Sequence, residues 1–496
     1  MSNLLTIIVF LPLLGCAVVA ALPGSRPGLA KWTAAAFMAV DLGLTGWLVA
    51  TFDRTQAEVM QFAVDLPWIP QAGIRYHLGV DGISITMLLL SALLGLIAIV
   101  ASWNVKDRVK AYMAMLLLLQ VGMNGVFVAL DFVLFYVFWE LVLVPMFFLI
   151  GIWGGARREY ASIKFFLYTL AGSVFMLVGI LALYLHPNGG TFDMIALAEK
   201  AVSGAFGYNF QMWVFALFFL GFAVKVPIWP LHTWLPDAHV EAPAAASVLL
   251  AGILLKMGTY GFIRVSLPML PQAAITWAPW IALLAVISIV YGAAVAFAQT
   301  DLKKLVAYSS VSHMGFVMLG IAAMNPEGLN GAVAVMFSHG VVTGMLFLVV
   351  GMVYDRTHTR EIKQLAGLSS AVPVLGGMLA FASIASLGLP GLSGFVGEFL
   401  SLLGAWKSPY VPHWMTLVAA VGVLLAAAYM LWMMLRVVLG EPSYKVVEIP
   451  DATPVDIAVL TPLVVLTVVV GVYWSSLLSF VDPAVRALVF AVTRAG

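Results

Sequence analysis

The chain has 496 residues, of which 63% are hydrophobic and 9% charged, with a net charge of +1 and a mean hydropathy of +1.06. Soluble domains carry about 25% charged residues, so this composition excludes an ordinary soluble core and reads as a polytopic membrane protein. The small net charge argues against a nucleic-acid partner. A single cysteine, Cys16, rules out an internal disulfide, a CxxC metal site and a cysteine-ligated iron–sulfur cluster.

The start, "MSNLLTIIVFLPLLGC", lacks a basic region and reads as an uncleaved first span. Its "LLGC" has the look of a lipoprotein cleavage site without the basic residues that go with one. Apolar runs of spanning length then follow. They fall near 4–22, 29–50, 81–103, 111–130, 132–153, 163–185, 211–231, 244–263, 278–298, 305–323, 330–353, 371–403, 412–435 and 454–480. Lipid tolerates no unpaired backbone and the runs are too long for barrel strands, so the expected fold is all-α with fourteen transmembrane helices. Fifteen of the 24 Lys and Arg residues fall in loops on one side, seven on the other and two within spans. The positive-inside bias places the "WNVKDRVK" loop inside and both termini outside; the bias gives sidedness and not the organism, and a bacterial inner membrane is the expected location.

A charge at the bilayer centre costs about 2.5–3.5 kcal/mol on insertion scales, so intramembrane ionisable residues are functional candidates. Glu140 lies on the fifth span, Lys225 on the seventh, Lys256 on the eighth, His313 on the tenth, His339 on the eleventh and Glu398 on the twelfth. Each alone has a bland reading. Glu140 and Lys225 would serve as an ion pair gluing two helices, and a lone histidine on an apolar face is usually a packing residue. As a set, six groups that accept and release protons on six helices are what a buried proton path requires. The alternative is a passive scaffold whose charges only fix helix packing.

The stretch "GFAVKVPIWPLHTWLPDAHVEAP" places Pro227, Pro230 and Pro236 just after Lys225. Each removes a backbone donor and breaks the helix. "SLGLPGLSGFVGE" repeats the device with Gly388, Pro390, Gly391, Gly394 and Gly397 ahead of Glu398. These two interrupted spans are five apart, as are the spans of Glu140 and His313. A repeat of five spans must sit inverted in its second copy, and inverted repeats with interrupted helices are a transporter signature. The expected organisation is helices 1–3 over residues 1–110, a first repeat of helices 4–8 over 111–267, a second of helices 9–13 over 278–440, and helix 14 with a tail over 441–496. His232, Asp237 and His239, in "HTWLPDAHVEAP", face the inside in this topology and are secondary proton-path candidates. A solvated loop is the plain alternative. A metal site is disfavoured because the prolines break any regular ligand spacing.

"FWELVLVPMFFLIGIWGG", "KVPIWPLHTWLPDAHVEAPAAASVLLAGILLKMGTYG", "TDLKKLVAYSSVSHMGF" and "GLPGLSGFVGEF" resemble the antiporter-like membrane subunits of respiratory complex I, the proton-pumping NADH:quinone oxidoreductase. Related chains occur in multi-subunit sodium/proton antiporters. The resemblance covers roughly residues 75–440, and a glutamate on the interrupted helix 12 points to the M-type (chain 4) branch. It implies that Glu140 modulates Lys225, that Lys256 connects the two halves, that His313 and His339 relay, and that Glu398 exchanges protons near the outer side. It further implies that NADH, FMN, iron–sulfur clusters and quinone are handled by partner subunits, with no cofactor or metal in this chain. Two similar antiporter-like chains would flank it. A cation/proton antiporter subunit and a membrane-bound hydrogenase subunit are the alternatives.

Overall fold

The computed structural model describes residues 3–495. Helices α1 (Leu4–Ala21) and α2 (Pro27–Thr51) open the chain. A two-stranded antiparallel hairpin follows, β1 (Gln61–Ile69) against β2 (Ile74–Val80), with Asp65 opposite His77. The hairpin was not visible as an apolar run because its strands, of nine and seven residues, are too short to span. Next come α3 (Gly82–Ala101), α4 (Val109–Val128), α5 (Phe132–Leu141), α6 (Leu143–Trp153), α7 (Arg158–Leu185), the short α8 (Met194–Val202), α9 (Tyr208–Lys225) and α10 (Trp234–Glu241). The second half holds α11 (Ala244–Met269), α12 (Pro271–Phe297), α13 (Leu302–Ala322), α14 (Pro326–Thr357), α15 (Pro373–Ser386), α16 (Ser393–Lys407), α17 (His413–Val437), α18 (Pro454–Val472) and α19 (Ser475–Ala495).

Fourteen helices among the described residues are long and apolar enough to cross a membrane. The membership differs from the sequence expectation in two places. The run 371–403 is two helices, α15 and α16, separated by the non-helical residues 387–392, because Gly388 and Gly391 take positive φ (81° and 94°) around Pro390. Such backbone suits glycine and stops a helix. The run 454–480 ends at Val472, and a separate helix, α19, begins at Ser475. Leu477, Phe480, Val481, Ala484, Val485 and Val492 of α19 are buried, whereas Arg486 is largely exposed and pairs with Asp482 at 2.6 Å.

The contacts of α19 show how it lies. Phe480 meets the start of α3, Asp482 accepts a 2.6 Å bond from Asn330 near the start of α14, and α19 also touches α8 and the end of α11. These points are the ends of separate spans on the hairpin side of the bundle. A helix touching all of them lies across the span ends, with its apolar stripe down and its charges outward.

Burial sorts the rest. The apolar stretches of α11 and α14 are buried throughout and that of α13 nearly so, whereas α1, α2, α17 and α18 expose most of theirs, as lipid-facing helices do. Small residues let the central helices approach closely. A Cβ built on Gly404 of α16 would overlap the backbone nitrogen of Gly328 of α14, and one on Gly331 would overlap the backbone nitrogen of Ser401. Gly404→Ala is therefore expected to destabilise the protein by about 1–3 kcal/mol, the range for overpacking. Gly377→Ala, whose Cβ meets nothing within 4 Å, is expected to be neutral. Thermal unfolding midpoints in one detergent check both; equal midpoints would contradict the close packing of α14 on α16.

Candidate functional site: a row of buried ionisable groups

Lys225 is the last residue of α9, where the prolines end the helix. Side chains satisfy backbone groups released there. The Trp234 indole donates to the Val224 carbonyl at 2.9 Å, and the Trp229 backbone N–H donates to Ser288 Oγ at 3.0 Å. The Lys225 amine is 1% exposed, has no hydrogen-bond partner and sits 5.2 Å from the centroid of the Trp139 ring. Its approach to the ring face is a cation–π geometry. Glu140 follows Trp139 on α5, and its Oε1 is buried without a partner. No ion pair within 4.0 Å joins Glu140 to Lys225 among the described residues, so the pair is not a closed structural bridge.

The other half is connected by direct contacts. Lys256 is fully buried on α11, in a short α-helical stretch between two π-helical segments, Leu250–Leu254 and Phe262–Ser266. Such wide turns free backbone carbonyls and are frequent at functional sites. The Lys256 amine donates to the Ala251 carbonyl at 2.5 Å and meets His339 Nδ1 on α14 at 2.6 Å. His339 Nε2 has no partner, and its ring lies 5.8 Å, centroid to centroid, from that of His313 on α13. His313 Nδ1 is 2.7 Å from Glu398 Oε1 on α16, while its Nε2 meets Ser386 Oγ at 3.1 Å and the Tyr429 hydroxyl at 3.4 Å. Glu398 Oε2 is buried without a partner. His313, His339, Ser338, Thr343, Ser386 and Glu398 line a small cavity with room for about one water. The glycines before Glu398 make space: Gly388 bends the chain, and a Cβ there would crowd Glu398 Oε2 at 3.1 Å.

The secondary candidates make no side-chain hydrogen bond to this row among the described residues. Asp237 on α10 pairs with Lys164 at 2.8 Å and with Arg157 at 3.6 Å. Arg157 also lies 3.9 Å from Glu241, the pairs forming a network at the inward-assigned loop. His239 is fully buried and stacks on Phe347 at 4.4 Å, with neither ring nitrogen bonded. Phe347 is two turns beyond His339 on α14, about 12 Å along the axis. His232 packs edge-on against Tyr291 at 5.1 Å, its Nδ1 unbonded. No hydrogen bond links His232, Asp237 or His239 to Lys225 among the described residues.

Some polar groups of the site left no mark in the sequence. Ser386 and Tyr429 are ordinary residues in apolar runs, and only packing puts them on His313. Lys303, counted among the loop charges, is 6% exposed and donates to the Ala242 carbonyl at 2.5 Å. A fully buried carboxylate, Asp41, meets Asn124 at 3.2 Å on α4. Among the described residues no group of three or more His, Cys, Asp or Glu side chains is placed to hold a metal ion.

Comparison with known proteins gives this geometry a lineage. The family described as NADH:quinone oxidoreductase/Mrp antiporter, TM, matches residues 129–427. NADH-quinone oxidoreductase subunit M of Rhodobacter capsulatus is 48% identical, over 99% of this chain and 97% of that protein. A chain of respiratory complex I from Thermus thermophilus with bound NADH superposes with a TM-score of 0.89 at 32% identity, covering 98% of this chain and 99% of that one. A chain of the archaeal membrane-bound sulfane sulfur reductase shares the fold, with a TM-score of 0.87 at 22% identity over the whole of both chains. The row of buried charges thus sits in a multi-pass chain that belongs to the NADH:quinone oxidoreductase/Mrp antiporter family of membrane proteins.

Proposed function

We propose that the chain is a proton-translocating, non-redox subunit in the membrane arm of a bacterial NADH:quinone oxidoreductase, moving protons through its buried Glu, Lys and His residues. The observation that carries this reading is the contact series Lys256, His339, His313, Glu398, in which four protonatable side chains from four helices follow one another. The subunit M of Rhodobacter capsulatus, similar over nearly the full length of both chains, supports the assignment to that complex.

The chemistry follows from the groups. A protonated Lys256 gives its proton to His339 Nδ1, and the imidazole releases one from Nε2. The space between the imidazoles of His339 and His313 is bridged through the adjoining cavity, which is lined by Ser338 and Thr343. His313 passes a proton from Nδ1 to Glu398, whose free Oε2 faces the same cavity. Lys225 and Glu140 act by charge. The Lys225 amine and Glu140 Oε1 have no hydrogen-bond partner, so a change at one is felt by the other across low-dielectric protein. Quinone reduction elsewhere in the complex is coupled to proton movement by shifting that charge balance. Redox cofactors belong to partner subunits, including those that carry NADH, FMN and iron–sulfur clusters, and two similar antiporter-like chains adjoin this one. In this reading α4 to α11 and α12 to α17 form two inverted five-span repeats, His232, Asp237 and His239 serve the inward side, and both termini lie on the outer side.

Isolation in mild detergent tests the assignment. Co-purifying NADH-driven quinone reduction is expected, and an assembly without it would move the chain to a cation/proton antiporter or a membrane-bound hydrogenase. Within the assembled complex, Lys225→Ala is expected to lose most NADH-driven proton pumping in reconstituted vesicles, and normal pumping would contradict the path. Because His313 and Glu398 form one unit, His313→Ala with Glu398→Gln is expected to cost no more pumping than the worse single variant; additive losses would mean that they act separately.

A further inference from the structure

A second row of polar groups leaves Lys256 in another direction. Lys256, Tyr260 and Arg264 lie at positions i, i+4 and i+8 of α11 and so share one face of it. The buried Tyr260 hydroxyl donates to the Phe127 carbonyl at 3.0 Å and accepts from Arg264 Nε at 3.0 Å. An Arg264 terminal nitrogen lies 2.6 Å from Asp81 Oδ2, and the other oxygen of Asp81 caps α3 by accepting from the Ile83 and Ser84 backbone N–H groups. Arg264 and Asp81 form part of the wall of a cavity of about 180 Å³ on the hairpin side of the bundle, between α3, α8 and α19. Glu58 is the other charged group lining it.

A bridge that only stapled α11 to α3 would need neither a tyrosine hydroxyl beneath it nor a cavity above it, whose lining is apolar apart from Glu58, Asp81 and Arg264. We propose that Arg264 and Asp81 are the gate of a second proton branch, running from Lys256 through the Tyr260 hydroxyl to this cavity. The structure holds the branch closed at both ends. The Lys256 amine is turned away, toward Ala251 and His339, and the ion pair seals the cavity side. When Lys256 swings toward Tyr260 and Arg264 releases Asp81, the lysine ammonium gives a proton to the tyrosine oxygen. The tyrosine passes its own hydroxyl proton to the Asp81 carboxylate, which sheds it into the cavity. Lysine ends neutral, tyrosine and aspartate unchanged, and one proton has moved. The branch rests on the reading of Lys256 as a proton carrier.

The test is passive proton permeability of vesicles holding the whole purified complex, driven by a potassium diffusion potential with an internal pH dye and no NADH. Loss of a charge-assisted pair lets the gate open about tenfold more often, so Arg264→Gln is expected to leak about tenfold faster than the parent. Adding Tyr260→Phe, or Lys256→Met, is expected to restore tightness, which a loosened helix packing would not do. Should Arg264→Gln fail to assemble, Arg264→Met serves, since its flexible chain fills much of the same space and leaves the Asp81 acceptor in place; the same leak is expected. Assembled gate variants as tight as the parent, or a leak that survives Tyr260→Phe, would overturn the branch. Because no turnover is involved, this result stands apart from whether Lys225→Ala stops pumping.

Discussion

The contact between the Lys256 amine and His339 Nδ1, 2.6 Å long, joins α11 to α14, the two spans whose apolar stretches are buried throughout. A lysine in that position makes no ion pair with a carboxylate among the described residues. It is held by one carbonyl that a π-helical turn frees and by one imidazole. Removing either would leave a buried polar group unsatisfied, at a cost of about 1–3 kcal/mol or more. The remaining members of the row hang on this contact. His339 places its ring beside His313, and His313 fixes Glu398.

Broken helices supply what continuous ones cannot. A regular helix uses its carbonyls internally, so a charge brought to the middle of a membrane protein must be met by side chains or by irregular backbone. Three kinds of interruption meet this need. The prolines after Lys225 stop α9 and hand its Val224 carbonyl to Trp234. Wide turns flank Lys256. Glycines with positive φ bend the chain ahead of Glu398. The wide turns beside Lys256 are buried, whereas the breaks after Lys225 and ahead of Glu398 reach the surface of the chain at Pro230 and at Leu389, Pro390 and Gly391.

Much of this was legible in the sequence, because hydrocarbon enforces length and composition strictly. Fourteen long apolar runs, two Pro- and Gly-rich interruptions and six isolated ionisable residues stand out at 9% charge. Two limits had physical causes. The break at 387–392 is short and its flanks are apolar, so hydropathy joins two helices into one run. Helix α19 follows α18 after two residues, and its amphipathic register is hidden by the apolar residues that precede it. Contacts are a different matter. Nothing in the spacing of Lys256 and His339, 83 residues apart, announces a bond, and nothing marks Tyr429 or Ser386 as partners of His313. Asp237, a secondary proton-path candidate in the sequence, is bridged to Lys164 and Arg157, since loop charges find one another when the chain closes.

The most direct test of the central claim is the number of protons moved per NADH oxidised by the assembled complex in vesicles, parent against Lys256→Met. Methionine keeps the length of the side chain and removes the proton carrier at the head of the contact series. A lower ratio, with quinone reduction continuing when the gradient is collapsed, is the result the account predicts. An unchanged ratio in a fully assembled complex would contradict it, and would leave the buried charges as packing elements.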